Sequence, residues 1–85
     1  MSGWYVYMVR CADKSLYTGI TTDPERRLKE HNHNDRLAAV YTRHRRPVCL
    51  VHQEYYPGRA EALRRECEIK KLSRRGKLIL SRQVE

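Results

Sequence analysis

The sequence predicts an α+β fold. Three observations carry that reading: an N-terminal hairpin pattern, a third strand candidate near the middle, and capped helical segments between and after them. Trp4 to Val9 is rich in aromatic and β-branched residues, which suit a pleated surface. Ala12-Asp13-Lys14-Ser15 supplies turn chemistry, and Leu16 to Ile20 is the returning strand. If Val9 lies opposite Tyr17, Tyr7 lies opposite Gly19, because antiparallel partners keep a constant sum. Period-two alternation then puts Tyr5, Tyr7, Tyr17 and Gly19 on one face. Tyr7 and Tyr17 become diagonal neighbours, with Cα atoms roughly 7–8 Å apart. Trp4, Val6, Met8, Leu16 and Ile20 take the other face as core.

Thr22-Asp23-Pro24-Glu25 is a helix start. Either Asp23 caps with Pro24 at the first helical position, or Thr22 and Glu25 form a capping box. This helix runs to about Asn32, with Arg27 and His31 four residues apart on one face. Asp35 to Tyr41 is ambiguous and leaves room for a second short helix. Thr42 to Pro47 is a basic loop, and Val48 to Tyr56 is the third strand. Pro57-Gly58 breaks it. Arg59 to Leu72 is the clearest helix. Ser73 caps a last one to about Ser81, with Gly76 arguing against it.

On a helical wheel, Ile69, Ala62, Leu63, Cys67 and Ala60 fall within one arc. Glu66 lies inside that arc. A carboxylate among apolar positions is costly unless a cation satisfies it. One reading is a buried salt bridge, to Arg27 or Arg59; the other is a metal ligand or acid–base group.

Composition narrows the function. The chain has 85 residues, enough for one small domain. Apolar residues make up 40% and charged residues 33%, which suits a compact domain better than a disordered tail. No apolar run reaches the roughly 18 residues of a membrane span, and the N-terminus lacks the basic start of a signal peptide. Cys11, Cys49 and Cys67 are odd in number, with no C-x-x-C pair. Free thiols in a reducing cytoplasm fit better than a zinc ribbon or a disulfide framework. His33, His44 and His52 show no metal-ligand spacing.

The net charge of +8 points to a polyanion: nucleic acid first, an anionic membrane surface second. Its carriers are Arg26-Arg27, Arg43-His44-Arg45-Arg46, Arg64-Arg65, Lys70-Lys71 and Arg74-Arg75. Any one is ordinarily a solvated face; five in so short a chain favour nucleic acid. Arginine outnumbers lysine 13 to 5, which suits forked contacts to phosphate. Tyr41 offers a stacking surface, although a lone tyrosine is weak support. Six tyrosines and no phenylalanine read most simply as the aromatic core of a small sheet. The nearby Arg27–His31 pair adds a chemical reading, because a phenol beside a guanidinium ionises more readily.

Tyr5-Val6-Tyr7, nine residues, Tyr17-Thr18-Gly19, then Arg27, His31 and Arg65-Glu66-x-x-Ile69-Lys70 form an ordered set. It resembles the GIY-YIG nuclease superfamily over roughly residues 3 to 81, and most of all its small stand-alone bacterial members. Leu16 to Asp23, Tyr41-Thr42-Arg43-x-Arg45-Arg46-Pro47 and Ala62 to Glu66 strengthen the likeness. The resemblance implies a three-stranded antiparallel sheet flanked by helices. It also implies hydrolysis of phosphodiester bonds in nucleic acid, DNA before RNA, with one divalent ion, Mg²⁺ or Mn²⁺.

Carried over position by position, Tyr7 and Tyr17 match the two family tyrosines. One of them, Tyr7 by preference, would help deprotonate the attacking water. Arg27 would steady charge on the scissile phosphate. His31 matches a proton-handling position, and Glu66 the sole metal-binding carboxylate. One carboxylate holds Mg²⁺ weakly, so the ion would enter with substrate phosphate and waters. Arg26, Arg43, Arg45, Arg46, Lys70, Lys71, Arg74 and Arg75 are the candidate phosphate contacts.

Departures from the pattern are Tyr-Val-Tyr in place of Gly-Ile-Tyr, Thr18 in place of Ile, and no asparagine near the C-terminal end. No separate recognition domain is expected within these residues. Targeting would come from the module, a homodimer or a protein partner. Two other readings keep the scaffold: a non-catalytic nucleic-acid-binding module, and a nuclease subunit that needs a partner.

Overall fold

The computed structural model describes residues 3–82. Strand β1, Trp4–Arg10, pairs antiparallel with β2, Leu16–Thr21. Val9 faces Tyr17 and Tyr7 faces Gly19, the register that the constant sum predicts. Each strand runs one residue further than its apolar pattern, into Arg10 and Thr21. In the connecting turn, Asp13 accepts from the Ser15 backbone N–H at 3.0 Å, and Lys14 takes a positive φ of 69°.

Helix α1, Pro24–His33, starts at Asp23, whose side chain accepts the Arg26 N–H at 3.1 Å. That selects the Asp23–Pro24 start over the Thr22–Glu25 box. The ambiguous stretch after it contains a short helix α2, Val40–Arg43, which takes in the beginning of the expected basic loop. Strand β3, Cys49–Tyr56, pairs antiparallel with β1, so the sheet order is β2-β1-β3. A bulge between Met8 and Val9 shifts that register.

Helix α3, Arg59–Lys70, follows Pro57-Gly58, with Glu61 accepting the Gly58 N–H at 3.1 Å. Helix α4, Arg74–Arg82, forms in spite of Gly76, whose N–H donates to Ser73 Oγ at 3.2 Å. The Ser73 cap therefore holds.

Both faces of the sheet are covered. Val6, Met8 and Val51 pack with Ala62 and Ile69 of α3, and Trp4, Leu16 and Ile20 complete that layer. The tyrosine face also has a core: Tyr7, Val9, Cys11 and Val48, with Tyr17 and Leu28 against it. Helix α3 buries a narrower strip than the wheel arc. Ala62 and Ile69 are buried, whereas Cys67 and Ala60 are exposed. Leu63 and Glu66 are half-buried, and Ala60 and Cys67 lie at the outer margin of the arc.

A second polar layer lies between β3 and α3. Arg65 forks onto Glu54, with Nε 2.8 Å from Oε1 and Nη2 3.2 Å from Oε2. Tyr56 Oη donates to Glu54 Oε1 at 2.8 Å, and His52 Nε2 lies 2.7 Å from Oε2. Burial alone would raise the Glu54 pKa. The hydrogen bonds from Arg65, His52 and Tyr56 overcome that and hold it at about 2.

Candidate active site

Tyr7 lies at the centre of the tyrosine face, on the middle strand, and is 2% exposed. Its ring crosses Gly19 on β2. A Cβ at Gly19 would sit 2.7 Å from Tyr7 Oη and 2.9 Å from Cζ. The glycine of the Tyr-Thr-Gly triplet is thus required by the close approach of the phenol, since any side chain there would displace it.

Helix α1 brings Arg27 and His31 to this phenol on successive turns. His31 is fully buried and faces Tyr7 Oη through Nε2 at 2.7 Å. Its Nδ1 lies 2.8 Å from Thr42 Oγ1 on α2. Thr42 Oγ1 donates to Ala39 O at 3.0 Å, so its oxygen is free to accept from His31 Nδ1–H. In that tautomer Nε2 is the acceptor for Tyr7 O–H. The Ala39 N–H approaches Nδ1 at 3.5 Å, the longest of these contacts and the weakest claim on the ring.

The pKa values of the two groups are pushed apart. Burial raises Tyr7 to about 12, against the lowering influence of Arg27 beside it. Burial also lowers His31 to about 4, with the Arg27 charge adding to the effect. The sequence expectation that Arg27 eases ionisation of the phenol has the right sign, but desolvation outweighs it. Both groups are neutral at pH 7, and they share a short hydrogen bond.

Arg27 is held by two contacts of its Nη1, to Glu30 Oε1 at 2.9 Å and to Leu37 O at 2.6 Å. Tyr17 is half-buried, and its ring meets His31 edge-on at 5.6 Å between centroids. It also stacks on Tyr41 at 5.8 Å, and the Arg45 guanidinium lies 3.9 Å from the Tyr41 centroid. A run of Arg45, Tyr41, Tyr17, His31 and Tyr7 therefore lines one side of the site.

Glu66 comes from α3. Its side chain is 15% exposed, and its charge is near enough to disfavour ionisation of Tyr7. Its ion-pair partner is Lys70, at 3.2 Å, rather than Arg27 or Arg59. Among the described residues, no group of three His, Cys, Asp or Glu side chains is placed to hold a metal. A lone carboxylate suits a hard ion that keeps waters and takes phosphate oxygens, not a closed zinc-type site.

The candidate phosphate contacts divide. Arg46 donates to His31 O at 2.6 Å and to Asp35 at 2.8 Å, clamping the end of α1. Arg43 reaches Ala38 O at 3.5 Å, and Arg45 reaches Asp13 at 3.1 Å and Tyr41 O at 2.8 Å. Arg26 pairs with Glu30 at 3.4 Å, and Arg74 donates to Lys14 O at 3.0 Å. Lys71 and Arg75 are exposed.

Sequence reasoning missed Thr42 as the partner of His31, and Glu30 as the partner of Arg27. The i,i+3 spacing of Arg27 and Glu30, and the i,i+4 spacing of Glu66 and Lys70, were available signals. Nothing local links Thr42 to His31.

Comparison with known proteins places the chain in a family. The GIY-YIG catalytic domain model matches residues 3–78. A UPF0213 protein of Staphylococcus haemolyticus is 53% identical over 78 residues, covering 92% of this chain and 93% of its own length. A UPF0213 protein of Syntrophus aciditrophicus is 51% identical over 83 residues, covering 98% and 94%. The solution NMR structure of a UPF0213 protein from Bacillus halodurans superposes with a TM-score of 0.57 at 48% identity, covering 94% of this chain and 82% of that one. With that agreement of sequence and fold, the chain belongs to the GIY-YIG family, among relatives that are small single-domain members of it.

Proposed function

We propose that this chain is a divalent-metal-dependent endonuclease that hydrolyses phosphodiester bonds in nucleic acid, with DNA as the preferred substrate. The observation that carries the reading is the Tyr7–His31–Thr42 chain of short hydrogen bonds beside Arg27. A phenol near pKa 12 and an imidazole near pKa 4 are poor reagents separately. Together they form a relay. The attacking water gives its proton to Tyr7 Oη as Tyr7 passes its own to His31 Nε2, so no free phenolate forms. Thr42 keeps the imidazole in the tautomer that can accept. Burial is the main cause of the low His31 pKa; substrate phosphate arriving at Arg27 offsets the smaller part that comes from the Arg27 charge, and so raises the basicity of the ring. The water oxygen then bonds to phosphorus as the bond from phosphorus to the leaving oxygen breaks, with Arg27 steadying the developing negative charge. The leaving oxygen takes a proton from solvent, and His31 returns its proton through Tyr7 to solvent.

Glu66 is the residue that would hold the ion. A bound Mg²⁺ or Mn²⁺ supplies Lewis-acid stabilisation of the phosphoryl and leaving oxygens. Tyr17, with Tyr41 and Arg45, forms the wall against which the substrate lies. Lys71 and Arg75, with Arg26, Arg43, Arg45, Lys70 and Arg74, contact flanking phosphates; Arg46 serves the site by fixing the end of α1. The 85 residues act as one catalytic module in the cytoplasm, and a homodimer or a partner would add selectivity.

The test is cleavage of single-stranded, duplex and branched substrates with Mn²⁺, comparing wild type with Glu66→Ala. Wild type should cut at least one substrate, and Glu66→Ala should lose that activity with its fold intact. Equal residual activity in the two proteins refutes the enzyme.

A further inference from the structure

Glu66 and Lys70 are one turn apart on α3, and Lys70 Nζ lies 3.2 Å from Glu66 Oε2. The carboxylate side chain is 15% exposed and the lysine side chain 52% exposed. We propose that Lys70 is a latch on Glu66. It holds the carboxylate in place in the free protein, competes with the divalent ion for it, and is released by substrate phosphate. This inference rests on the reading of Glu66 as the metal ligand.

The physical case has three parts. A mostly buried carboxylate needs a partner, and Lys70 provides one at low cost because its ammonium is on a flexible, solvent-facing stem. An incoming ion must displace that ammonium or tolerate a positive charge a few ångströms away, so affinity in the free protein is low. A nucleic-acid phosphate reverses both conditions. It offers the ammonium a new anionic partner and adds oxygen ligands for the ion. Metal and nucleic acid therefore bind with positive coupling, and the coupling is reciprocal. An ordinary surface pair at this spacing would only help the helix, and its loss would leave metal binding unchanged.

The latch makes predictions from both sides. Electron paramagnetic resonance of free Mn²⁺ measures the ion's affinity for the whole chain without nucleic acid. Lys70→Met should bind Mn²⁺ more tightly, by about three- to tenfold, as a part-exposed ion pair and a nearby positive charge are removed. From the other side, Glu66→Gln frees Lys70. In EDTA no ion replaces the ammonium at Glu66, so wild type keeps the latch closed on DNA. The variant's affinity for a fluorescent 20-nucleotide DNA strand should therefore depend more steeply on salt, by about one phosphate contact. The Glu66→Gln, Lys70→Met double variant should lose that increment.

Unchanged or weaker Mn²⁺ binding by Lys70→Met overturns the latch, as does undetectable binding by both proteins. A double variant that keeps the steeper salt dependence also overturns it. Glu66→Gln that binds Mn²⁺ like wild type refutes a different claim, that Glu66 is the metal ligand. The two failures are thus told apart.

Discussion

Each face of the sheet buries a polar cluster with a histidine in it, and the two clusters are built on opposite principles. On the α3 face, Glu54 is an ionised carboxylate gripped by the Arg65 fork, Tyr56 and His52. Opposite charges meet, the carboxyl pKa falls to about 2, and no proton has reason to move. On the tyrosine face, Tyr7 and His31 are both neutral, and burial pushes their pKa values to about 12 and about 4. That 2.7 Å contact is the one across which the proposed mechanism moves a proton. The first cluster fixes α3 against β3. The second, next to Arg27, is the cluster to which we assign the proposed hydrolysis. A perturbed pKa by itself does not separate lock from chemistry; the charge state of the partners does.

Tyr7→Phe is the sharpest way to separate the two clusters. Cleavage should fall by at least about 100-fold, the usual worth of a positioned proton-transfer group. Stability should fall by only about 1 kcal/mol, for one buried hydrogen bond left unmade. Wild-type cleavage by Tyr7→Phe would make the tyrosine simple core. Acid unfolding comes next. His31 stays neutral in the folded protein down to about pH 4, whereas an unfolded histidine takes a proton near 6.5. Between those values the unfolded chain binds more protons, so stability is lost as pH falls across that window, by at most about 3 kcal/mol. The Glu54 contribution is lost lower, between the ordinary carboxylate value of 4.5 and about 2. Chemical denaturation at stepped pH should show the upper window vanish in His31→Asn and persist in Glu54→Gln. The smallest effect is expected from Glu54→Ala. It should cost about 2 kcal/mol by leaving half-buried Arg65 with only the more exposed Glu68, at 3.1 Å, as its partner, while the folded protein still cuts at near wild-type rate. Lost cleavage there, with the fold intact, would merge the two clusters into one functional unit.

Much of the fold was legible from local pattern. The hairpin register follows from alternation and one assumed pair, and Asp23-Pro24 marks the start of α1. The family was legible from an ordered set, because Tyr7, Tyr17, Arg27, His31 and Glu66 keep a recognisable spacing. What escaped was long-range partnership. Arg46 counted toward a phosphate-binding charge, yet it clamps His31 O and Asp35. Charge is written in the sequence, but its partner is set by the fold. Thr42 orders His31 from eleven residues away across a loop, and no spacing rule connects them. The wheel placed Glu66 correctly inside the apolar arc but overstated that arc at its outer margin, where Cys67 and Ala60 are exposed.

The central claim is that His31 is a neutral acceptor for the Tyr7 proton. Nitrogen-15 NMR of the imidazole across pH tests it without any substrate. The account predicts a proton on Nδ1, a bare Nε2, and a midpoint near 4. A midpoint near 6.5, or a neutral ring carrying its proton on Nε2, would contradict it.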